Sequence, residues 1–373
     1  MPLCCYSTNE DISFYADEIN KYAQESIRPV TLKQLIQFGQ PPLSTETLLD
    51  SARYTKSELP VRLARRVKAF QNLPFIVGTN PYIMNVYNLY CNSFDVIRNF
   101  PEIKDEETDR KFTQLLKQTV NLHAENIPTL ARGFQECKKY MSNEAIKRFL
   151  DDLIRARIGI RLIGEQHLAL HDRLDPNFIG IIDTRTHPGN LIRTRAAFVQ
   201  NLCEAHYGSF PEIRITGQTD TRFAYVPVHL EYIIAEILKN ACRATVELSQ
   251  KVGRKDYPAI EVTISRGKSS IGIRVRDQGG GISAKDLPSV FEYSYTTAKQ
   301  ESYSRNVLGS VTTMTMQAGF GGPIAGLGYG LPLARLYAAY FGGSMNLVSL
   351  NDHGCDVFVK LKQIDEMLDE VEI

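Results

Sequence analysis

No stretch of the 373-residue sequence is long and apolar enough to span a bilayer, which takes about 20 residues. Nor is there an excess of either charge. Lys+Arg number 43 and Asp+Glu 42, so no global field draws nucleic acid or inserts the chain into a membrane. Tryptophan is absent, and there are no repeats or low-complexity runs. The seven cysteines (Cys4, Cys5, Cys91, Cys137, Cys203, Cys242 and Cys355) are odd in number and lack zinc-type spacing. That pattern indicates reduced thiols in a reducing compartment. Glu10, Asp11 and Asp17 do not fit an Arg-rich, acid-poor transit peptide, so such a peptide is expected to be absent or removed. What is present, 43% hydrophobic and 23% charged residues, is an ordinary globular composition with room for about two domains.

Residues up to about 172 read as helices. Glu58-Leu-Pro60 is expected to open one of them, with the proline in its first turn. Val61, Ala64 and Val67 would then face inward, and Arg62, Arg65, Arg66 and Lys68 would form a solvated basic face. A longer helix is expected over about 108–140. Along it Leu116, Val120, His123, Ile127, Leu130 and Phe134 step by four and three. A third covers about 144–171, and such helices suggest an antiparallel bundle. The polar segment 172–177, with Pro176, breaks this texture. A short apolar strand is expected at 178–182, a helix near Pro188, and another over 227–246. Segments 259–264 and 271–277 alternate as an antiparallel pair, and 344–350 and 355–361 form a second pair around Asn351-Asp-His-Gly354. The expected class is α+β: a helical bundle over 1–175, then an α/β sandwich over 176–373 with a mixed, mostly antiparallel sheet.

The second half carries the chemistry. Ile271, Ile273 and Val275 share one strand face, and Asp277 falls on the same face. A buried carboxylate needs a donor, and the glycines of Asp277-Gln-Gly-Gly-Gly-Ile282 let the backbone approach something bulky. An adenine amino group meets both conditions, although Asp before a Gly run is more often an ordinary turn. On the helix after Pro227, Glu236, Asn240 and Arg243 are spaced four and three apart and share a face. Glu can accept a hydroxyl proton, Asn can give Mg²⁺ a neutral oxygen, and Arg can pair with phosphate. The bland alternative is a surface helix with polar decoration. Gly326-Leu-Gly-Tyr-Gly-Leu331 opens an apolar helix, whose free N–H groups make an anion site. No long strand feeds it directly, so a dinucleotide fingerprint is rejected. The intervening segment 298–322, rich in Ser, Thr, Gln and Gly, reads as a lid or a disordered loop.

Glu236-x-x-x-Asn240, Asp277-x-Gly-x-Gly281, Thr296-Thr297 and Gly326-x-Gly-x-Gly330 resemble, in order and spacing, the GHKL ATPase–kinase superfamily. Ser51-Ala-Arg-Tyr54, Glu58-Leu-Pro-Val-Arg62, Leu73-Pro-Phe-Ile76, His123 and His167-Leu-Ala-Leu-His171 look like the mitochondrial α-ketoacid dehydrogenase kinases. The branched-chain kinase looks closest. The pyruvate dehydrogenase kinases follow, because they usually carry a tryptophan-containing tail. The resemblance implies a serine kinase that inactivates the decarboxylase component of a dehydrogenase complex, using ATP and Mg²⁺, with K⁺ as a further ion near the nucleotide loop. It implies Glu236 as general base, with His123 as a partner that tunes it, and Asn240 as Mg²⁺ ligand. Asp277 would receive the adenine amino group. Arg243, Gly279, Gly281, Thr296, Thr297, Gly326, Gly328, Gly330 and Leu331 would surround the nucleotide. Arg157 and Arg161, one turn apart, would line a pocket for an inhibitory α-ketoacid, where the bland alternative is a solvent-facing basic pair. A homodimer, docking to a lipoyl-bearing transacylase core and a mitochondrial-matrix location are implied likewise. Cys355 stands where the family usually has Thr, which puts any nucleotide contact there in doubt. Two rivals share parts of the pattern, and a catalytically silent scaffold that binds nucleotide is a third option. A histidine kinase has the Gly boxes, and His123-Ala-Glu125 could pass for a phosphoacceptor box. An ATP-gated clamp would use the same Glu to activate water.

Overall fold

The computed structural model describes residues 9–40, 42–172, 175–254, 256–295 and 328–363. The chain forms two compact units, one up to Ile181 and one beginning at Ile182.

Unit 1 is helical. It comprises α1 (Asn9–Gln24), α2 (Leu32–Gly39), α3 (Thr45–Gln71), α4 (Phe75–Gly78), α5 (Pro81–Arg98), α6 (Glu106–Leu122), α7 (Asn126–Glu136) and α8 (Asn143–His171), then the two-residue strand β1 (Phe178–Ile179). Side-chain caps set several starts: Thr31, Ser44, Asn80, Asp105 and Ser142 each accept a first-turn amide. Helix α3 packs against α1, α5, α6 and α8. It is buried nearly all round, through Leu59, Val61, Leu63, Ala64, Val67 and Phe70 among others.

Three expectations change here. Pro60 does not open a helix but lies inside α3, which begins at Thr45. An interior proline costs about 3 kcal/mol, and burial of the flanking side chains, at about 1.5–3 kcal/mol each, offsets it. Arg62 is not solvated: it is 7% exposed and pairs at 2.9 Å with Glu58, itself 1% exposed. The helix expected over 108–140 is two helices, broken at His123–Glu125. Pro128 explains the break. In a continuous helix its ring would clash with the Ala124 carbonyl, whereas in the first turn of α7 its missing N–H goes unmissed.

Unit 2 contains β2 (Ile182–Thr186), α9 (Pro188–Tyr207), β3 (Ile213–Gly217), β4 (Phe223–Tyr225), α10 (Pro227–Lys251), β5 (Ile260–Arg266), β6 (Ser270–Arg276), α11 (Gly330–Tyr340), β7 (Ser344–Leu350) and β8 (Gly354–Lys362). Strand β2 pairs antiparallel with β4. The main sheet has the order β3-β5-β6-β8-β7. Only β3–β5 is parallel, with Ile213 opposite Ile260; the other pairs are antiparallel, with Val262 opposite Val275 and Val275 opposite Val357. Period-two alternation gives this sheet one buried face, with Val262, Ile264, Ile271, Ile273, Val275, Val359 and Leu361 at 0–1% exposure. Helices α9 and α11 both pack against α10, and all three pack against this sheet. The fold is α+β, as the alternation predicts.

Candidate active site

A cavity of about 460 Å³ opens in unit 2 between α10, the end of β6 and the start of α11. Glu236, Asn240 and Arg243 reach it from α10, Asp277, Gly279 and Gly281 from the loop after β6, and Gly328, Gly330 and Leu331 from the turn into α11. The three segments singled out in the sequence thus line one cleft. Thr296, Thr297, Gly326 and the 298–322 segment lie outside the described residues.

Asp277 continues the buried face of β6 and is 7% exposed. Its amide donates to the Cys355 carbonyl at 2.9 Å, extending the β6–β8 ladder by one residue. Its Oδ1 accepts the Gly279 amide at 2.8 Å and the Cys355 amide at 3.3 Å. Burial raises the carboxyl above the usual carboxylate range, and these two hydrogen bonds pull the other way. One oxygen therefore fixes the loop. No hydrogen bond among the described residues reaches the other, which leaves an acceptor for an amino group.

Two glycines are required by what surrounds them. Gly281 has φ +74°, and a Cβ there would strike the Leu350 carbonyl. At Gly330, the first residue of α11, a Cβ would strike Glu236 Oε2, so the missing side chain lets the carboxylate lie against the helix start. Glu236 is 9% exposed, and its Oε1 accepts from Lys239 Nζ at 2.6 Å. Asn240 is exposed and lines the cavity, while Arg243 is engaged by Glu247 at 2.8 Å.

Sequence reasoning missed Lys239, Tyr295 and Cys355 as cleft residues. The signal for Lys239 was its position three after Glu236 on the same helix face. Tyr295 had no such pattern, since only the fold brings its backbone against Gly328. Burial, and then Asp277, push the Cys355 thiol up to about 11, so it is neutral here.

The remaining predicted residues belong to unit 1. Arg157 and Arg161 are 3% and 8% exposed, which excludes a solvent-facing pair. Arg157 donates to the His123 carbonyl at 3.1 Å, and Arg161 pairs with Glu165. His123 caps the end of α6. Its Nδ1 meets Asn126 Nδ2 at 2.7 Å and its Nε2 meets Ser93 Oγ at 2.7 Å. The Tyr90 ring stands edge-on to it, with centroids 4.8 Å apart. Because the amide nitrogen donates to Nδ1, the ring proton sits on Nε2 and goes to Ser93. Burial first, then Arg157 and Arg161, lower the His123 pKa to about 3, so the ring stays neutral.

Comparison with known proteins agrees with this division. A family model described as "Mitochondrial branched-chain alpha-ketoacid dehydrogenase kinase" matches residues 29–183. One described as "Histidine kinase-, DNA gyrase B-, and HSP90-like ATPase" matches residues 225–364. The chain is 34% identical to the mitochondrial [pyruvate dehydrogenase (acetyl-transferring)] kinase of Arabidopsis thaliana, over 94% of each chain. It is 31% identical to human isozyme 4 of the same kinase, over 93% of this chain and 84% of that one. Human isozyme 3 is 30% identical, over 93% and 86%.

Proposed function

The chain belongs to the mitochondrial α-ketoacid dehydrogenase kinase family of the GHKL superfamily and is an ATP-dependent protein kinase, and we propose that its substrate is the pyruvate dehydrogenase complex. The sequence pattern alone leaned toward the branched-chain complex. The likenesses that span almost the whole chain carry the pyruvate name, and they outweigh a tail feature. The protein would phosphorylate serine on the decarboxylase component and switch it off, in the mitochondrial matrix.

The observation that carries this reading is the single cleft shared by α10 and the two glycine-bearing turns. Asp277 accepts the adenine amino group with the oxygen not used by the loop. The glycines of both turns bring backbone N–H groups close to the phosphates. Asn240, exposed in the cleft, offers its amide oxygen to Mg²⁺, which when bound neutralises phosphate charge. Glu236 takes the serine proton, and Lys239 orients its carboxylate. Arg157, Arg161 and His123 form the ketoacid pocket of unit 1, where two buried guanidiniums suit a small carboxylate. His123, proposed from the sequence as a partner of Glu236, acts in this reading by holding Arg157 through its carbonyl.

Two surfaces support the implied partners. Val348, Leu350 and Phe358 are 43–53% exposed on β7 and β8, which fits a homodimer through the sheet. Phe358→Asp should shift the sedimenting species to a monomer. Phe75 and Ile76 are 68% and 53% exposed at α4, which fits docking to a lipoyl-bearing core. Phe75→Asp should then abolish co-sedimentation with that core.

The deciding experiment offers Mg-ATP with pyruvate and branched-chain decarboxylase components in parallel, each with its own core. Label on serine of the pyruvate component alone is expected. Label on the branched-chain component alone would overturn the substrate. Repeating the assay with each ketoacid and with Arg157→Ala tests the pocket, because inhibition should vanish in the variant.

A further inference from the structure

His167 and His171 lie one turn apart on α8, and Asp109 faces them from the first turns of α6. The three offer ligand atoms that all fall within 4.8 Å of one another. His167 Nε2 is 3.4 Å from Asp109 Oδ1, and His171 Nε2 is 3.4 Å from Asp109 Oδ2. Asp109 and His167 are 4% and 0% exposed, so little water reaches them.

These distances are too long for charge-assisted hydrogen bonds, which run about 2.7–2.9 Å. Each is near the separation of two ligands on one tetrahedral ion, with each histidine facing a different oxygen of the carboxylate. With metal–ligand bonds of about 2.0–2.1 Å, the edge of the tetrahedron is about 3.3 Å. A second observation is independent of the cluster's composition: Asp109 Oδ1 is buried and receives no hydrogen bond. A buried, unsatisfied carboxylate oxygen is destabilising unless a cation or donor meets it.

The neighbours turn the imidazoles toward metal binding. Ser51 Oγ lies 3.2 Å from His167 Nδ1. When Nδ1 donates to Ser51, Nε2 keeps its lone pair and points at the Asp109 carboxylate. Thr113 Oγ1 donates to the Asp109 carbonyl at 2.9 Å. Its proton is thus committed, and its lone pairs lie 3.2 Å and 3.4 Å from the two Nε2 atoms. Lone pairs of a carboxylate, a hydroxyl and an imidazole therefore converge on one buried point.

We propose that unit 1 holds one divalent transition-metal ion of the zinc class on Asp109, His167 and His171, with the Thr113 hydroxyl beside the fourth position. Two imidazoles and one carboxylate form a donor set that zinc accepts, and magnesium, which favours oxygen ligands, does not. The ion ties the start of α6 to the end of α8, while Ser51 couples α3 to the same point. Nothing in the ATP cleft takes part.

The test uses the full chain, stripped with chelator and titrated with Co²⁺ alone. One equivalent should bind, with visible bands of a tetrahedral nitrogen–oxygen site and no near-ultraviolet thiolate band. Zn²⁺ should displace it and raise the melting temperature. His171→Gln and Asp109→Asn should lose stoichiometric binding while ATP binding persists. Ser51→Ala, which removes no ligand, should weaken binding about 10–100-fold. If Asp109→Asn fails to fold, the wild-type spectrum and the Ser51→Ala affinity still decide. Less than stoichiometric cobalt, a thiolate band, or unchanged binding in His171→Gln would overturn the proposal.

Discussion

The two units bury charge in opposite ways. In unit 1 several buried polar groups meet other protein groups: Glu58 with Arg62, His123 with Ser93 and Asn126, Arg161 with Glu165. In unit 2 Asp277 and Glu236 each commit one oxygen to the protein, to loop amides and to Lys239, at the wall of an open cleft. The first arrangement spends its polar contacts inside the protein, within α3 and α8 and, through His123 and Ser93, between helices. The second leaves acceptors facing a space that a ligand can fill. Polar residues of unit 1 should therefore report in stability, and those of unit 2 in turnover and nucleotide affinity.

The sharpest break of this contrast is Glu236→Gln. If Glu236 is the base proposed above, its loss should lower kcat about 10²–10⁴-fold, with melting temperature and ATP affinity nearly unchanged. A large loss of melting temperature would make Glu236 structural and collapse the distinction. Next in size is Glu58→Ala, which removes the buried carboxylate that pairs with Arg62. It should destabilise unit 1 by up to about 3–5 kcal/mol in chemical denaturation, with unaltered ATP affinity. Asp277→Ala should weaken ATP binding at least about 10–100-fold by calorimetry, the effect of losing a buried acceptor, as its loop bonds go with it. Unchanged affinity would move the adenine elsewhere.

The smallest effect is a pH dependence from His123. Its folded pKa, about 3, lies below the unfolded value, so the unfolded chain binds the extra proton between roughly pH 3 and 6.5. Stability should fall as pH drops through that window, by about 2 kcal/mol between neutral pH and pH 5. His123→Gln should flatten this slope in denaturant titrations, and an equally steep slope would assign it to other groups.

Much of unit 2 was legible because its signals are local. Alternation placed β5 to β8, and one helical period brought Glu236 and Asn240 to one face. Unit 1 was less so. Arg62 looked like part of a solvated stripe because Glu58 is its partner only once α3 passes through Pro60 as a helix. The break at His123 was hidden because the apolar stripe runs through it without a change of period, and only Pro128 hinted at it. Asp109 gave no warning at all, since its partners on α8 are brought together by packing.

One joint described above also bears on how freely this protein can vary. The loop that presents Asp277 is fastened to β8 by main-chain groups of Cys355, an amide to Oδ1 and a carbonyl to the Asp277 amide. Every residue except proline carries both. The thiol is therefore a passenger at that joint, and the position can drift among small side chains without losing the main-chain bonds that hold Asp277 in place.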